Sequence, residues 1–247
     1  MKNLIVIPAR MKSSRLPGKP LKKINGKELI LRVLNACEPL SSKNTKIIVA
    51  TDEKKIFKKV NFLNFNSIMT SKICRTGTDR VAEVAKKIKA DIYINVQGDE
   101  PLVNYKDIQK IINAKKKYPE HVICGYSNLL SDEDVNNINI PKVVLNKKSE
   151  LLYISRSPIP NTKKKSIKVS NYLKQVCIYG FNKKDLLLFS RFKNKTTLEN
   201  LEDIEILRYL EISKKVKMIK VSSKSYAVDT HDDLKKIDKI FKRLDKN

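Results

Sequence analysis

Three short apolar runs constrain this chain most. Leu4-Ile5-Val6-Ile7, closed by Pro8, Lys46-Ile47-Ile48-Val49-Ala50 and Asp91-Ile92-Tyr93-Ile94-Asn95-Val96 are close to continuously apolar rather than alternating. A strand of that kind buries both faces, as strands of a parallel sheet covered by helices do. Helical periodicity fills the gaps at residues 28–36, 53–60 and 79–88, and again at 105–116 after the third run. Strands alternating with helices predict βαβ units, a mostly parallel sheet and right-handed crossovers.

After about residue 120 the rhythm changes. Val122-Ile123-Cys124-Gly125-Tyr126, Lys142-Val143-Val144-Leu145 and Leu151-Leu152-Tyr153-Ile154 are strand-like with few helices between them. This predicts an antiparallel or mixed β-rich insertion lobe. Residues 157–170 form a long polar loop and a candidate lid. A helix over 198–212, a strand over 216–221 and a terminal helix over 232–244 complete the reading. There is no internal repeat. The fold class expected is α/β: one domain over 1–247, a mostly parallel twisted sheet with a β-rich insertion lobe.

Composition removes several classes of function. The 247 residues are 41% hydrophobic, enough for a sizeable core. No apolar run approaches the ~18–20 residues of a membrane span, and Met1-Lys2-Asn3-Leu4 does not open a signal peptide, so the cytoplasm is expected and a membrane partner is not. Four scattered cysteines and two histidines argue against a zinc site. The formal charge is +26, but all except nine of the 52 basic residues are Lys, spread in pairs and triplets without interleaved aromatics. That pattern suits solvated helix faces better than a nucleic-acid surface, and no nucleic-acid partner is expected.

In an open parallel sheet, ligands bind beyond the C-terminal strand ends. After the first run comes Pro8-Ala9-Arg10-Met11-Lys12-Ser13-Ser14-Arg15-Leu16-Pro17-Gly18-Lys19-Pro20. Arg10, Arg15 and Lys19 together suit a triphosphate, because Arg forks two oxygens and Lys adds a point charge. Gly18-Lys19 is not a Walker A loop, and no GxGxxG follows the strand, which disfavours a dinucleotide dehydrogenase. After the third run comes Gln97-Gly98-Asp99-Glu100-Pro101. A carboxylate there is costly unless a cation or donor meets it; Asp99 is a natural Mg²⁺ ligand, or else a helix cap, a role Asn104 could fill instead. Asp229 in Ala227-Val228-Asp229-Thr230 is either a second ligand or the cap of the last helix. Thr76-Gly77-Thr78-Asp79-Arg80 opens a helix and favours a ligand oxygen or base edge. Arg156, in Tyr153-Ile154-Ser155-Arg156, is a plausible carboxylate fork. His121 and His231 suit the solvated surface, and no histidine base is evident.

These residues, in this order, resemble the cytidylyltransferases that activate 3-deoxy sugar acids, in particular the 3-deoxy-manno-octulosonate (Kdo) cytidylyltransferase family. The resemblance rests on Ile7-Pro8-Ala9-Arg10 through Ser14-Arg15-Leu16-Pro17-Gly18-Lys19-Pro20-Leu21, Val49-Ala50-Thr51-Asp52, Gly77-Thr78-Asp79-Arg80, Asn95-Val96-Gln97-Gly98-Asp99-Glu100-Pro101, Tyr153-Ile154-Ser155-Arg156, Ile178-Tyr179-Gly180 and Val228-Asp229-Thr230. It implies a nucleotide-diphospho-sugar transferase-like fold, CTP and an acidic 3-deoxy sugar as substrates, Mg²⁺, a homodimer, and a role in lipopolysaccharide or surface-glycan synthesis. It implies a nucleotide-binding part at about 1–120 plus the C-terminal helix, and a sugar-binding and dimerisation part at about 121–225. Carried over by position, Pro8, Ala9, Arg10, Arg15, Lys19, Thr78, Asp79 and Arg80 would bind the nucleotide. Asp99 and Asp229 would ligate the metal. Gln97, Arg156, Gln175, Tyr179 and Glu205 would bind the sugar, and Arg10, Lys19, Asp99 and Asp229 would carry catalysis. Two departures fall where the family faces its sugar. Gln175-Val176-Cys177 stands for the usual His-Leu-Gly, and Ile206 for Gln in Glu-Gln-Leu-Arg. A related acid sugar such as 8-amino-Kdo or a sialic-type acid is the alternative substrate, and a basic nucleic-acid binder the alternative class.

Overall fold

The computed structural model describes residues 1–13, 15–163, 168–222 and 226–245. In chain order it gives β1 (Asn3–Ala9), β2 (Lys23–Ile24), β3 (Lys27–Glu28), α1 (Leu29–Cys37), β4 (Thr45–Thr51), α2 (Lys54–Phe62), β5 (Ser67–Met69), α3 (Gly77–Lys87), β6 (Ile92–Val96) and α4 (Tyr105–Lys117). The second half gives β7 (Val122–Asn128), β8 (Lys142–Leu145), β9 (Leu151–Ser155), β10 (Leu173–Phe181), α5 (Lys183–Phe189), α6 (Thr197–Glu202), α7 (Leu207–Glu211), β11 (Val216–Lys220) and α8 (His231–Leu244).

One sheet runs β11-β7-β10-β6-β1-β4-β5. β6, β1, β4 and β5 are mutually parallel, as are β7 and β11, and β10 lies antiparallel between β6 and β7. The β-rich stretch therefore extends the same sheet, and only the β8–β9 pair branches off β10. The apolar runs behave as their composition requires. In β1, Leu4 and Val6 enter one core with α3 residues Val81, Ala82, Val84 and Ala85. Ile5 and Ile7 enter a second core with Ile30, Val33, Ile56, Ile108 and Ile111 of α1, α2 and α4. Strand residues point alternately to the two faces, so helices cover both.

A third, smaller core holds the C-terminal helix against the loop after β1. Ile237 of α8 meets Leu16, Ile24, Leu29 and Val228. Arg32 reinforces it, donating to the Ile24 and Asn25 carbonyls and to Asp245 while stacking 4.2 Å from the Phe241 ring.

One sequence expectation is corrected. The helix expected over 198–212 is two short helices, α6 and α7, broken at Asp203, whose φ of 50° is left-handed. Nine residues in a straight helix span about 13 Å along the axis. The break lets Arg208 fold back onto Glu199 with two 2.7 Å bonds, and both side chains are buried. β10 was not foreseen as a strand, because Lys174 and Gln175 interrupt its apolar pattern and its register with β7 shifts between Val176 and Tyr179. Of the candidate lid at 157–170, residues 164–167 lie outside the described residues, as does Ser14 of the basic loop.

Candidate active site

β1 and β6 are neighbours, so the loops that leave their C-terminal ends open side by side. The approach is tight. A Cβ on Gly98 would stand 2.6 Å from the Pro8 carbonyl oxygen, and one on Gly77 2.9 Å from the Gln97 amide. A side chain at Gly98 would meet backbone and force these loops apart, whereas one at Gly77 would displace the Gln97 amide. Together with the start of α3, the 228–229 segment and the turn at Asp203, they enclose a cleft of about 540 Å³.

Ten of the residues expected from sequence line this cleft: Pro8, Ala9, Arg10, Arg15, Lys19, Arg80, Gln97, Asp99, Arg156 and Asp229. The two carboxylates, 130 positions apart, meet on one cation. Lys19 Nζ lies 2.6 Å from Asp99 Oδ2 and 3.1 Å from Asp229 Oδ1. Arg15 closes on the other oxygen of Asp229 at 3.0 Å and donates to Asn139 at 2.7 Å. Burial works against the Lys19 ammonium, but Asp99 and Asp229 outweigh it, so its pKa lies above the ordinary lysine value. The Val228 amide donates to the Asp99 carbonyl, 2.9 Å, and fixes the two acidic segments side by side. Both cap alternatives are resolved. Asn104 caps α4 and Thr230 caps α8 in a capping box with Asp233, so Asp99 and Asp229 are left to face the cleft.

The other expected residues stand around the cleft or behind it. Arg80 is buried, donates to Thr70 Oγ1 and pairs with Asp52 at 3.4 Å. Thr78 is buried, and its hydroxyl accepts from Asn95 at 3.3 Å. Asp79 closes the capping box of α3 with Thr76 and bonds Arg208 at 3.3 Å, outside the cleft lining. Glu205 stands one residue deeper, accepting from the Gln97 amide at 3.1 Å and from the Thr78 backbone N–H at 2.9 Å. Burial pushes the Glu205 carboxyl above its usual range, against the Thr78 bond.

Arg156 follows β9. Its guanidinium donates to the carbonyls of Glu202, Ile138 and Asp203, while the Glu202 carboxylate accepts from its backbone N–H. Gln175 and Tyr179 are buried on β10, where the Gln175 amide donates to the Tyr179 hydroxyl at 3.0 Å. Ile206 is buried in the core. None of the residues that depart from the family pattern lines the cleft.

Sequence reasoning missed Ser13, Cys74, Arg75, Ile138, Asn139 and Asp203, which also line the cleft. Asp203 was hidden by the helix expected across it, and residues 138–139 carry no local motif. The Cys74 thiol gives its hydrogen bond to Glu83 at 3.3 Å; burial and that carboxylate push its pKa up to about 12, which makes it a poor nucleophile.

The donor set fits a magnesium–nucleotide site. Mg²⁺ in such sites takes one or two carboxylates and completes its shell with phosphates and water. Here two carboxylates converge and already share a cationic atom, with arginines at hand for phosphate oxygens. Among the described residues there is no group of three acidic, His or Cys side chains that would hold an ion alone.

Comparison with known proteins agrees with this geometry. A family model for cytidylyltransferases matches residues 4–216. A 3-deoxy-manno-octulosonate cytidylyltransferase of Christiangramia forsetii is 38% identical over 97% of both chains, and that of Escherichia coli 34% identical over 96% of this chain and 94% of its own. The solved structure of a CMP:2-keto-3-deoxy-manno-octonic acid synthetase complexed with CTP superposes with a TM-score of 0.89 at 34% identity, covering 99% of this chain and all of that one. An inositol-1-phosphate CTP transferase from T. maritima shares the fold at 16% identity and a TM-score of 0.70. With its matches running nearly end to end and its basic loop, paired carboxylates and Gln97–Glu205 contact gathered at the C-terminal ends of β1 and β6, the chain belongs to the 3-deoxy-manno-octulosonate cytidylyltransferase family.

Proposed function

We propose that this protein transfers a cytidylyl group from CTP to a 3-deoxy-2-ulosonic sugar acid, Kdo being the first choice, and releases pyrophosphate. The observation that carries the reading is the convergence of Asp99, Asp229, Lys19 and Arg15 at the mouth of β1 and β6. The chemistry is an in-line displacement: the anomeric hydroxyl of the sugar attacks the α-phosphorus, and pyrophosphate leaves.

The chain's residues divide the work by charge. Arg10, Arg15 and Lys19 line the cleft and offset the negative charge that grows on the leaving pyrophosphate. Gln97, held by Glu205, and Arg156, held by three carbonyls, offer rigid donors to a sugar carboxylate and its hydroxyls. Their second partners cost no reordering when substrate arrives, since the rotamers are already fixed. Asp99 and Asp229 would hold Mg²⁺. Bound there, Mg²⁺ supplies Lewis-acid polarisation of the α-phosphate and lowers the pKa of the attacking hydroxyl. Pro8, Ala9, Thr78, Asp79 and Arg80 form the nucleoside side in this reading. Gln175 and Tyr179 shape the sugar side through the wall.

The homodimer implied by the family is carried over as a proposal, and equilibrium sedimentation tests it. Among the described residues, no helix is long and apolar enough to cross a membrane. The deciding experiment is pyrophosphate release with CTP and Mg²⁺, offered Kdo, 8-amino-Kdo and sialic acid in parallel. Turnover of Kdo well above the other two is expected. Preference for 8-amino-Kdo would move the assignment to the related sugar, and no turnover of any acid would remove it.

A further inference from the structure

The Lys19 ammonium lies between Asp99 and Asp229, at the place a shared cation would take. We propose that Lys19 is an intramolecular occupant of the metal position, which must leave Asp99 and Asp229 before a divalent ion can enter, so that the ion is admitted only as the nucleotide phosphates take the ammonium over. This rests on the metal reading of the preceding subsection.

Four observations carry it. Lys19 Nζ reaches both carboxylates at once, 2.6 Å and 3.1 Å, and its side chain is only 13% exposed. Arg15 takes the second oxygen of Asp229 at 3.0 Å, so one arm of the same loop seals what the other fills. The 2.9 Å Val228–Asp99 backbone bond keeps the two acidic segments adjacent. No third acidic group, His or Cys among the described residues completes a metal shell. Two carboxylates neutralised by an ammonium are a poor ligand set for a hard dication, whose first requirement is uncompensated anionic oxygen.

A triphosphate changes that balance. It brings several anionic oxygens to the loop that carries Arg10, Arg15 and Lys19 and offers the ammonium a better partner. The exchange needs only side-chain motion. Lys19 stands between Gly18, held at φ 70°, and Pro20, at the head of a single 3-10 turn (Lys19–Leu21), so its backbone is fixed and the exchange falls to its four-carbon stem. Once the ammonium is on phosphate, Asp99 and Asp229 are exposed to the ion together. The device would keep the empty site from collecting divalent ions and would make metal entry report nucleotide binding.

The test reads metal occupancy rather than turnover. Mn²⁺ is titrated into the full-length protein without nucleotide and followed by electron paramagnetic resonance. Wild type should bind weakly. Lys19→Met should bind about tenfold or more tightly, because the ammonium that bridges both carboxylates is gone and only Arg15, half-exposed, remains on one oxygen of Asp229. Lys19→Arg should stay as weak as wild type. Lys19→Gln supplies the same comparison if the methionine variant does not fold. With CTP present, wild type should show a protein-bound Mn²⁺ signal distinct from that of Mn·CTP in buffer. If wild type without nucleotide binds Mn²⁺ as tightly as Lys19→Met or Lys19→Gln, the exchange is wrong while the metal reading stands. If wild type with CTP shows no protein-bound signal, the metal reading itself fails and takes the exchange with it.

Discussion

In the proposed reaction Asp99 and Asp229 share one ion, and their substitution separates a shared ion from two unrelated acids. Asp→Asn keeps the shape and removes one charge. If both hold one ion, each change should lower kcat on the order of 10²–10⁴-fold, and the double variant should be little worse than either single one. Normal turnover in Asp229→Asn beside a dead Asp99→Asn would show that the ion does not need Asp229. Glu205 carries a second prediction, of stability against pH. Burial raises its folded pKa above the unfolded value, so the folded state prefers the protonated form. That contribution is full below the ordinary carboxylate range and is lost as pH rises through the raised value. Glu205→Gln never carries the charge. Its melting temperature relative to wild type should therefore climb between acid and neutral pH, while its KM for the sugar rises because the group that holds the Gln97 amide has changed. A melting difference flat with pH would show that Glu205 ionises in the fold as it does in solvent. These roles were unequally legible in the sequence. Asp99 and Lys19 stand in local motifs at a strand end, where residue type and position imply chemistry. Asp203 and Asn139 line the cleft only because distant turns bring them there, and no local spacing encodes that.

At the scale of elements, α8 packs against the basic loop after β1 although none of its own residues lines the cleft. Its Ile237 is buried against Leu16, Ile24, Leu29 and Val228, so one helix face steadies both the loop that carries Arg15 and Lys19 and the segment that carries Asp229. Ile237→Ala should cost roughly 2–4 kcal/mol of stability. It should also raise KM for CTP more than it lowers kcat, because what loosens is the docking of the loop. Denaturant unfolding and steady-state kinetics measure the two parts, and a stability loss with unchanged KM would confine α8 to a structural role. The sequence disclosed α8 within one residue, and it disclosed β1, β4 and β6, because apolar periodicity over several turns or a full strand is strong. It did not disclose the break at Asp203, since Glu199 and Arg208 read as ordinary helix formers until the fold makes them a buried pair. Nor did it disclose β10, whose buried Lys174 and Gln175 look like surface residues without their partners, the Glu133 carboxylate and the Tyr179 hydroxyl.

The whole molecule carries a formal charge of +26, and the cleft at the C-terminal ends of β1 and β6 gathers Arg10, Arg15, Lys19, Arg75, Arg80 and Arg156. Dispersed lysines give a salt-sensitive attraction to any polyanion without a surface that reads one. Binding to duplex DNA should therefore be weak at physiological salt and indifferent to sequence; sub-micromolar, sequence-dependent binding there would contradict the reading of the lysines as dispersed, solvated charge. The cleft also predicts how the fold responds to its nucleotide. Its walls come from residues 8–10, 13, 15, 19–20, 74–77, 80, 97–99, 138–139, 156, 203 and 229, so a ligand that touches them bridges segments spread over most of the chain. Such a ligand binds only the folded state, and at a hundredfold excess over Kd it adds about 2.7 kcal/mol. For a chain of this length that is a rise of roughly 5–10 °C in melting temperature. CTP with Mg²⁺ should produce it, and ATP with Mg²⁺ much less, because the phosphates are common to both and the base is not. Differential scanning fluorimetry with the four nucleoside triphosphates at matched concentration makes the comparison. A rise that is equal for all four would mean that the cleft reads only phosphate, and the cytidylyl assignment would then have no support from recognition of the base.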